Sequence, residues 1–299
     1  MNNYEKFLAE VLHHINDRLD AGTEAHLRKI QKNNNRILDG LVISTEGSNI
    51  SPTIYLNDYY EEFTGKQLSL EEIVNHVLEQ YEHARSCQPA DVSDFADFAC
   101  VKDRIIFRVI NRRKNADLLK RIPHIDYLDL AITFLYLLTI RENADATILI
   151  HNTHLSLWHT DTDELFALAQ KNTPRLLTWD VTPMKELLSG LSVPDDDLAP
   201  RPQDLAYPMY VLTNQNKLHG AGCILYDHLL ASLSEDFDDD FYILPSSIHE
   251  VLLIPGTDTV CRSDLDEMVR EVNATQVPEE EILSDHAYLY SREKGEIVY

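Results

Sequence analysis

The stretch Phe241-Tyr242-Ile243-Leu244-Pro245-Ser246-Ser247-Ile248-His249-Glu250-Val251-Leu252-Leu253-Ile254 places two short apolar runs on either side of a proline–serine segment. Runs of four or five β-branched, aromatic and aliphatic residues bounded by turn formers read as strands, so Phe241–Leu244 and Glu250–Ile254 are expected to form a hairpin. Upstream, Met209–Thr213 reads as a strand and Ala221–Leu233 as a helix; downstream, Ser263–Val272 carries helical spacing. The order is β-α-β-β-α. It recurs earlier in the chain: Ile105–Ile110 as strand, a polar helix over Arg112–Arg121 ended by Pro123, strands over Tyr127–Ile140 and Thr147–Leu157 joined at Glu142–Asp145, and a helix over Asp161–Gln170.

Two such units, interspersed with helices and linked by short turns, predict an α+β protein. Before them, apolar residues at 4, 7, 8, 11, 12, 15 and 19 mark an amphipathic helix. Ala25–Ile30, Arg36–Ser44 and Ile50–Leu56 form a strand meander, and Leu56–Phe63 and Ser69–Tyr81 return to helix, the second opened by the capping box Ser69/Glu72. Ser86–Asp97 reads as a linker. The expected division is therefore a small domain over 1–88 and a larger one over 96–299, whose halves 98–180 and 207–299 share a cadence compatible with duplication. Asp195-Asp196-Asp197, among prolines 194, 200, 202 and 208, reads as a crossover loop between the halves.

Composition narrows the function. The chain has 299 residues, 44% hydrophobic and 25% charged, with 50 acidic against 26 basic side chains and a net charge of −24. That balance belongs to a folded globular chain. Only 9 glycines occur and no Gly-rich phosphate loop is among them, so no nucleotide cofactor is expected. The four cysteines, 87, 100, 223 and 261, form no C-x-x-C pair. Met1–Leu8 lacks the basic and apolar regions of a signal peptide, and the longest apolar stretch, Tyr127–Ile140, is too short to span a bilayer. A cytoplasmic location without membrane insertion is expected. Most of the negative charge lies in residues 151–299, which hold 27 of the acids and 9 of the bases, including Glu235-Asp236-Phe237-Asp238-Asp239-Asp240. Such a surface repels nucleic-acid backbones, so direct nucleic-acid binding is not expected.

Several segments carry chemistry-bearing side chains. Ser246, Ser247, His249 and Glu250 gather hydroxyls, an imidazole and a carboxylate in one turn, and Asp285 beside His286 offers an orienter and a base; a serine hydrolase needs such groups in mutual reach. The structural alternative is a proline–serine turn whose hydroxyls bond nearby backbone. His151, His154 and His159 contain metal-ligating nitrogens, yet H-x-x-H-x-x-x-x-H matches no zinc spacing, and on a strand His151 and His154 face opposite ways. Asp161 or Thr160 is expected to cap the next helix. Asn152, His154 and Asn214 are candidate binding residues. Residues 101–121 hold 8 bases and two acids, and Lys102, Arg104 and Arg108 share a strand face, suiting either an anion groove or docking on the chain's own acidic half.

Leu38-Asp39-Gly40-Leu41, Ile50-Ser51-Pro52-Thr53-Ile54-Tyr55-Leu56, Thr147-Ile148-Leu149-Ile150-His151-Asn152, Tyr210-Val211-Leu212-Thr213-Asn214 and the Pro245–Glu250 turn with Ser284-Asp285-His286 together resemble an uncharacterised bacterial domain-of-unknown-function family, numbered 5688 and common in gut anaerobic Gram-positive bacteria. The resemblance runs from about Leu27 to Tyr290. It implies no activity and transfers no residue roles. The reading that follows is a non-catalytic cytoplasmic protein that binds or regulates a protein partner. Its rivals are a hydrolase or metal-dependent enzyme built on the 246–250 turn, with His249 meeting Asp285 or Glu250, and an acidic nucleic-acid mimic that inhibits a DNA-binding protein.

Overall fold

A computed structural model describes residues 2–47, 51–86, 93–141, 144–190, 207–256 and 260–298. The chain divides into two compact units, Met1–Asp91 with Thr139–Asp145, and Val92–Leu138 with Ala146–Tyr299.

In the first unit, helix α1 (Asn3–Asn16) starts at a reciprocal cap: the Asn2 side chain accepts from the Glu5 N–H and the Glu5 carboxylate accepts from the Asn2 N–H. Strands β1 (Thr23–Gln31) and β2 (Ile37–Thr45) pair antiparallel over nine residues, and β3 (Thr53–Tyr55) pairs with β2. The β1–β2 turn uses Asn34 and Asn35 at positive φ, a conformation asparagine tolerates better than most residues. Helices α2 (Asn57–Thr64) and α3 (Leu70–Ser86) follow, the latter opened by the expected Ser69/Glu72 box. Val11 and Ile15 of α1 and Ile73 and Val77 of α3 bury against Leu41 and Ile43 of β2. The helical stripe and the strand alternation thus meet in one core.

The second unit begins with α4 (Phe98–Val101), β4 (Ile105–Asn111), α5 (Ala116–Leu119), β5 (His124–Tyr127), β6 (Leu130–Arg141) and β7 (Ala144–Leu149). Next come α6 (Asn152–Trp158), α7 (Thr162–Leu176), β8 (Trp179–Pro183), α8 (Met184–Gly190), β9 (Tyr210–Asn214) and α9 (Leu229–Phe237). The hairpin β10 (Phe241–Leu244) and β11 (Val251–Pro255), α10 (Arg262–Thr275), β12 (Tyr288–Ser291) and β13 (Glu296–Val298) complete it. Two antiparallel sheets result: a four-stranded one with β6 between β4 and β5 and also pairing β7, and a six-stranded one in the order β13-β12-β10-β11-β9-β8. Phe107 and Phe134 of the first sheet, Leu165 and Ala169 of α7, and Leu212, Ile243, Leu253 and Tyr288 of the second share a single core. The protein is α+β.

Several local expectations change. The polar helix expected over Arg112–Arg121 shrinks to Ala116–Leu119, because Asn111 and Asn115 fold the preceding residues into a turn. The strand expected over Thr147–Leu157 ends at Leu149, and Asn152–Trp158 is helical. There the His151 N–H donates to His154 Nδ1 at 3.1 Å, a local bond that favours a helix start. The helix expected over Ala221–Leu233 is a 3₁₀ segment, Gly220–Leu225, and then α9, interrupted by His228 at φ 62°. Lys102 and Arg104 lie in a 3₁₀ turn before β4, so Arg108 alone of the three is on the strand. Strand order agrees between the halves: the third strand of each lies antiparallel between the first two, β4-β6-β5 in the first sheet and β9-β11-β10 in the second, which extends further through β8, β12 and β13. The shared cadence is thus matched by a shared order of these three strands. The crossover segment with Asp195–Asp197, and Cys87 with Pro89 of the expected linker, lie outside the described residues.

Gly220 is dictated by crowding. A Cβ there would lie 2.1 Å from Thr213 Oγ1 and 2.4 Å from the His249 carbonyl oxygen, so only glycine lets residues 218–222 cross so close to β9 and the hairpin turn.

Candidate functional site

A polar cleft of the second unit, about 310 Å³, lies between the turn that leaves β4 and the segment that enters β12. Its first wall is Asn111-Arg112-Arg113-Lys114-Asn115. Asn111 is 9% exposed and Asn115 1%, although amides rarely bury unless bonded. The reason is structural. Asn111 Oδ1 accepts the Lys114 N–H at 2.8 Å, Asn111 Nδ2 donates to the Leu283 carbonyl at 2.9 Å, and Asn115 Nδ2 donates to the Asn111 carbonyl at 2.8 Å. The Arg112 N–H is held by the Asp129 carbonyl at 3.0 Å. Two buried amides thus fix a turn bearing three consecutive cations. The Arg112 guanidinium pairs with Asp126 at 2.9 Å, the Arg113 charge acts on the Asp285 carboxylate of the opposite wall without a pair within 4.0 Å, and Lys114 has no ion-pair partner among the described residues.

The second wall is Ser284-Asp285-His286, anchored because residues 281–284 run alongside the hairpin turn. The Ile248 N–H donates to the Glu281 carbonyl, Leu283 to Ser246 and Ser284 to Pro245, at 2.9–3.0 Å. At the floor, Asp129 accepts the hydroxyl protons of Ser284, at 2.9 Å, and of Tyr288. His286 Nδ1 lies 3.0 Å from Asp285 Oδ1 and 3.3 Å from Ser284 Oγ, and its Nε2 lies 3.8 Å from Asp129 Oδ1. The bond with His286 holds the Asp285 carboxyl below the usual carboxylate range.

These distances define what the cluster can do. A serine–histidine–acid relay needs the nucleophile on one ring nitrogen and the acid on the other. Here Ser284 and Asp285 approach the same nitrogen, and the buried Ser284 hydroxyl is already donated to Asp129. The convergence of His249 with Asp285 or Glu250 does not form. His249 Nε2 lies 3.6 Å from Glu281 Oε1, and its Nδ1 lies 3.3 Å from the Lys217 carbonyl. Ser247 is buried and its oxygen accepts the His249 N–H at 3.0 Å, the backbone role of a proline–serine turn. Ser246 and Glu250 face a different, largely apolar cavity of about 450 Å³ with Val211, Leu252 and Val272.

The remaining candidates separate as well. His151 and His154 come together, ring centroids 5.7 Å apart, because the segment is helical rather than extended; His159 caps the far end of α6 at φ 54°. Burial lowers the proton affinity of both His151 and His154. Among the described residues no three histidine, cysteine or carboxylate side chains are grouped to hold a metal. His154 packs on Phe95 and Trp158, Asn152 Nδ2 donates to the Lys120 carbonyl, and Asp161 caps α7 through the Glu164 N–H. Asn214 is buried and bonds both the N–H and the carbonyl of Leu218, closing a turn. Arg104 Nε donates to the Leu137 carbonyl, and neither Lys102 nor Arg108 meets a carboxylate among the described residues, so the expected docking of this basic group on the acidic half is absent for those two.

Asp285 and His286 are thus the sequence-derived residues that line the cleft. Asn111, Asp129 and Tyr288 were not singled out. The signal for the first was Asn-Arg-Arg-Lys-Asn itself, two amides bracketing three cations where a helix was expected.

The model of a family of unknown function (DUF5688) matches residues 4–292. The chain belongs to that family. No curated protein and no solved structure matches it.

Proposed function

We propose that this member of the family is a non-catalytic binding protein whose cleft between Arg112–Lys114 and Ser284–His286 takes an acidic or phosphorylated side chain of a protein partner. The observation that carries the reading is the tribasic turn, held rigid by buried Asn111 and Asn115, with Arg113 and Lys114 left to face a ligand. Preorganised cations bind carboxylate and phosphate with little ordering cost. His286 at the rim adds a ring nitrogen to the same site. The floor argues for binding over hydrolysis, since Asp129 already holds both nearby hydroxyls.

The surrounding properties fit this reading. Cys100, Cys223 and Cys261 are free thiols, which suits the reducing cytoplasm. No helix among the described residues is long and apolar enough to cross a membrane. The net charge of −24 disfavours nucleic acid as the partner. The acidic run before β10 also has local work to do: Asp238 pairs with Arg292 at 2.7 Å and Asp240 accepts the Arg292 N–H. That use weakens the case for a phosphate-mimicking row.

The test is fluorescence polarisation of the full chain against arrayed peptides containing phosphoserine, phosphothreonine or glutamate clusters. The expected result is a sequence-selective binder whose affinity falls at least ~10-fold in Arg113→Ala/Lys114→Ala, as for loss of one charged contact. Equal binding by the variant, or turnover of ester and phosphoester substrates by the wild type, contradicts the reading.

A further inference from the structure

Away from the cleft, the face of the four-stranded sheet that carries Ile106 and Ile110 is largely apolar, with Asp126, paired to Arg112, at the edge of the Ile110 row and one polar lane beside it. Ile106 packs with Leu135, Leu137 and Leu177 on one side, and Ile110 packs with Leu118, Leu119, Ile122 and Ala131 on the other. Between these clusters the register aligns Arg108 of β4, Thr133 of β6 and His124 of β5. Directly paired residues share a face, so this is a polar row crossing an oily surface. Burial pushes even the Arg108 guanidinium down to about 10.

A guanidinium has five N–H donors and cannot usefully discharge. Among the described residues Arg108 uses one of them, Nε, on Thr133 Oγ1 at 3.4 Å, and no carboxylate lies within 4.0 Å of it. Leaving a largely buried charge without a counter-charge is costly, and proteins normally pair it. Arg108 also keeps some contact with solvent, so a counter-ion has a path in.

The segment carrying His219 crosses beside this strand. Leu218 packs on the Ile106 cluster, and the next turn of chain brings Gly222 against the Phe107 ring. His219 sits at φ 52°, its ring stacked on His249 at 5.9 Å and 13°, and its Nδ1 is buried with no hydrogen-bond partner. Burial first and the Arg108 charge second hold His219 neutral, so the two groups feel one another. An unbonded ring nitrogen and four unused guanidinium donors are complementary to a single small acceptor with several oxygens.

We propose that Arg108, Thr133 and His219 form a second, separate site that binds a small oxyanion, the phosphoryl or carboxylate group of a low-molecular-weight ligand, with His249 at its margin. The site is independent of the tribasic cleft. It accounts for a buried arginine without a carboxylate and for a buried imidazole nitrogen without a partner, two features that folding alone leaves unexplained.

The experiment is a titration of the full chain in Hepes with inorganic phosphate and, separately, with acetate, followed by thermal unfolding and by histidine ring NMR signals assigned through His219→Gln. Phosphate is expected to raise the melting temperature saturably and to move the His219 ring signals. A response to acetate of equal size assigns the site to carboxylates instead of phosphoryl groups. Arg108→Met is expected to be at least as stable as wild type without anion and to lose the anion-induced rise, whereas Arg113→Ala/Lys114→Ala keeps it. An unmoved His219 signal in the wild type at saturating phosphate and acetate overturns the proposal without recourse to any variant. So does an Arg108→Met protein that is destabilised in anion-free buffer or fails to fold, because Arg108 is then structural.

Discussion

Asp129 joins residues distant in sequence: it accepts from Ser284, 155 positions away, and from Tyr288, 159 positions away. Both donors are buried, at 1% and 0% exposure, so removing Asp129 takes the carboxylate acceptor from two buried hydroxyls, of which Ser284 keeps the His286 ring nitrogen at 3.3 Å. Asp129→Ala is expected to cost about 2–4 kcal/mol, an unsatisfied buried group being worth roughly 1–3 each. Urea unfolding measures it; a loss below about 1 kcal/mol means the hydroxyls find other acceptors. Site residues with this character were illegible in sequence. Asp285 and His286 stood out because they are adjacent, while Asp129 acquires its role from contacts across more than 150 positions and Asn111 adds to its local bond with Lys114 one to Leu283, 172 positions away. The serines misled for the reverse reason, since local proximity of Ser247 and His249 reflects a turn in which the hydroxyl serves backbone.

At the scale of elements, periodicity was informative wherever one face of an element meets one core. The first unit follows its sequence closely, because α1, α3 and the meander each carry an unbroken apolar stripe or alternation. The hairpin β10–β11 and helix α10 were legible on the same ground. Elsewhere, local hydrogen bonds outweighed pattern. Asn111 and Asn115 turned a run of helix formers into a turn, and the bond from the His151 N–H to His154 started a helix inside a β-rich stretch. Strand β8 and helix α8 were missed because Trp179–Pro183 is largely exposed and only five residues long, leaving little alternation to read. Sheet membership was never available from period alone. That β8 joins the six-stranded sheet depends on its pairing with β9, a long-range choice.

For the whole molecule, histidine burial sets a pH response. His151, His154 and His219 all titrate below the ordinary value of 6.5, chiefly through desolvation. Between 6.5 and their lowered values the unfolded chain binds protons that the folded protein does not. Their contribution to stability is therefore complete above pH 6.5 and is lost as pH falls below it. The urea midpoint measured in Mes and Hepes is expected to drop between pH 7 and 5.5, with a smaller drop in His219→Gln. A midpoint that is flat or rises over this range contradicts the burial of these rings. Asp285, bonded to His286, adds a second loss of the same sign nearer pH 4, kept small by its exposure.

The account as a whole rests on the claim that an overwhelmingly acidic protein binds its partner through a small, rigid basic turn. The most direct measurement is backbone amide NMR of the full chain during titration with the tightest phosphorylated or acidic peptide. The account predicts that the largest shifts fall on Asn111–Lys114 and Asp285–His286. Shifts concentrated instead on the acidic run Glu235–Asp240, or binding of basic peptides in preference to acidic ones, would contradict it.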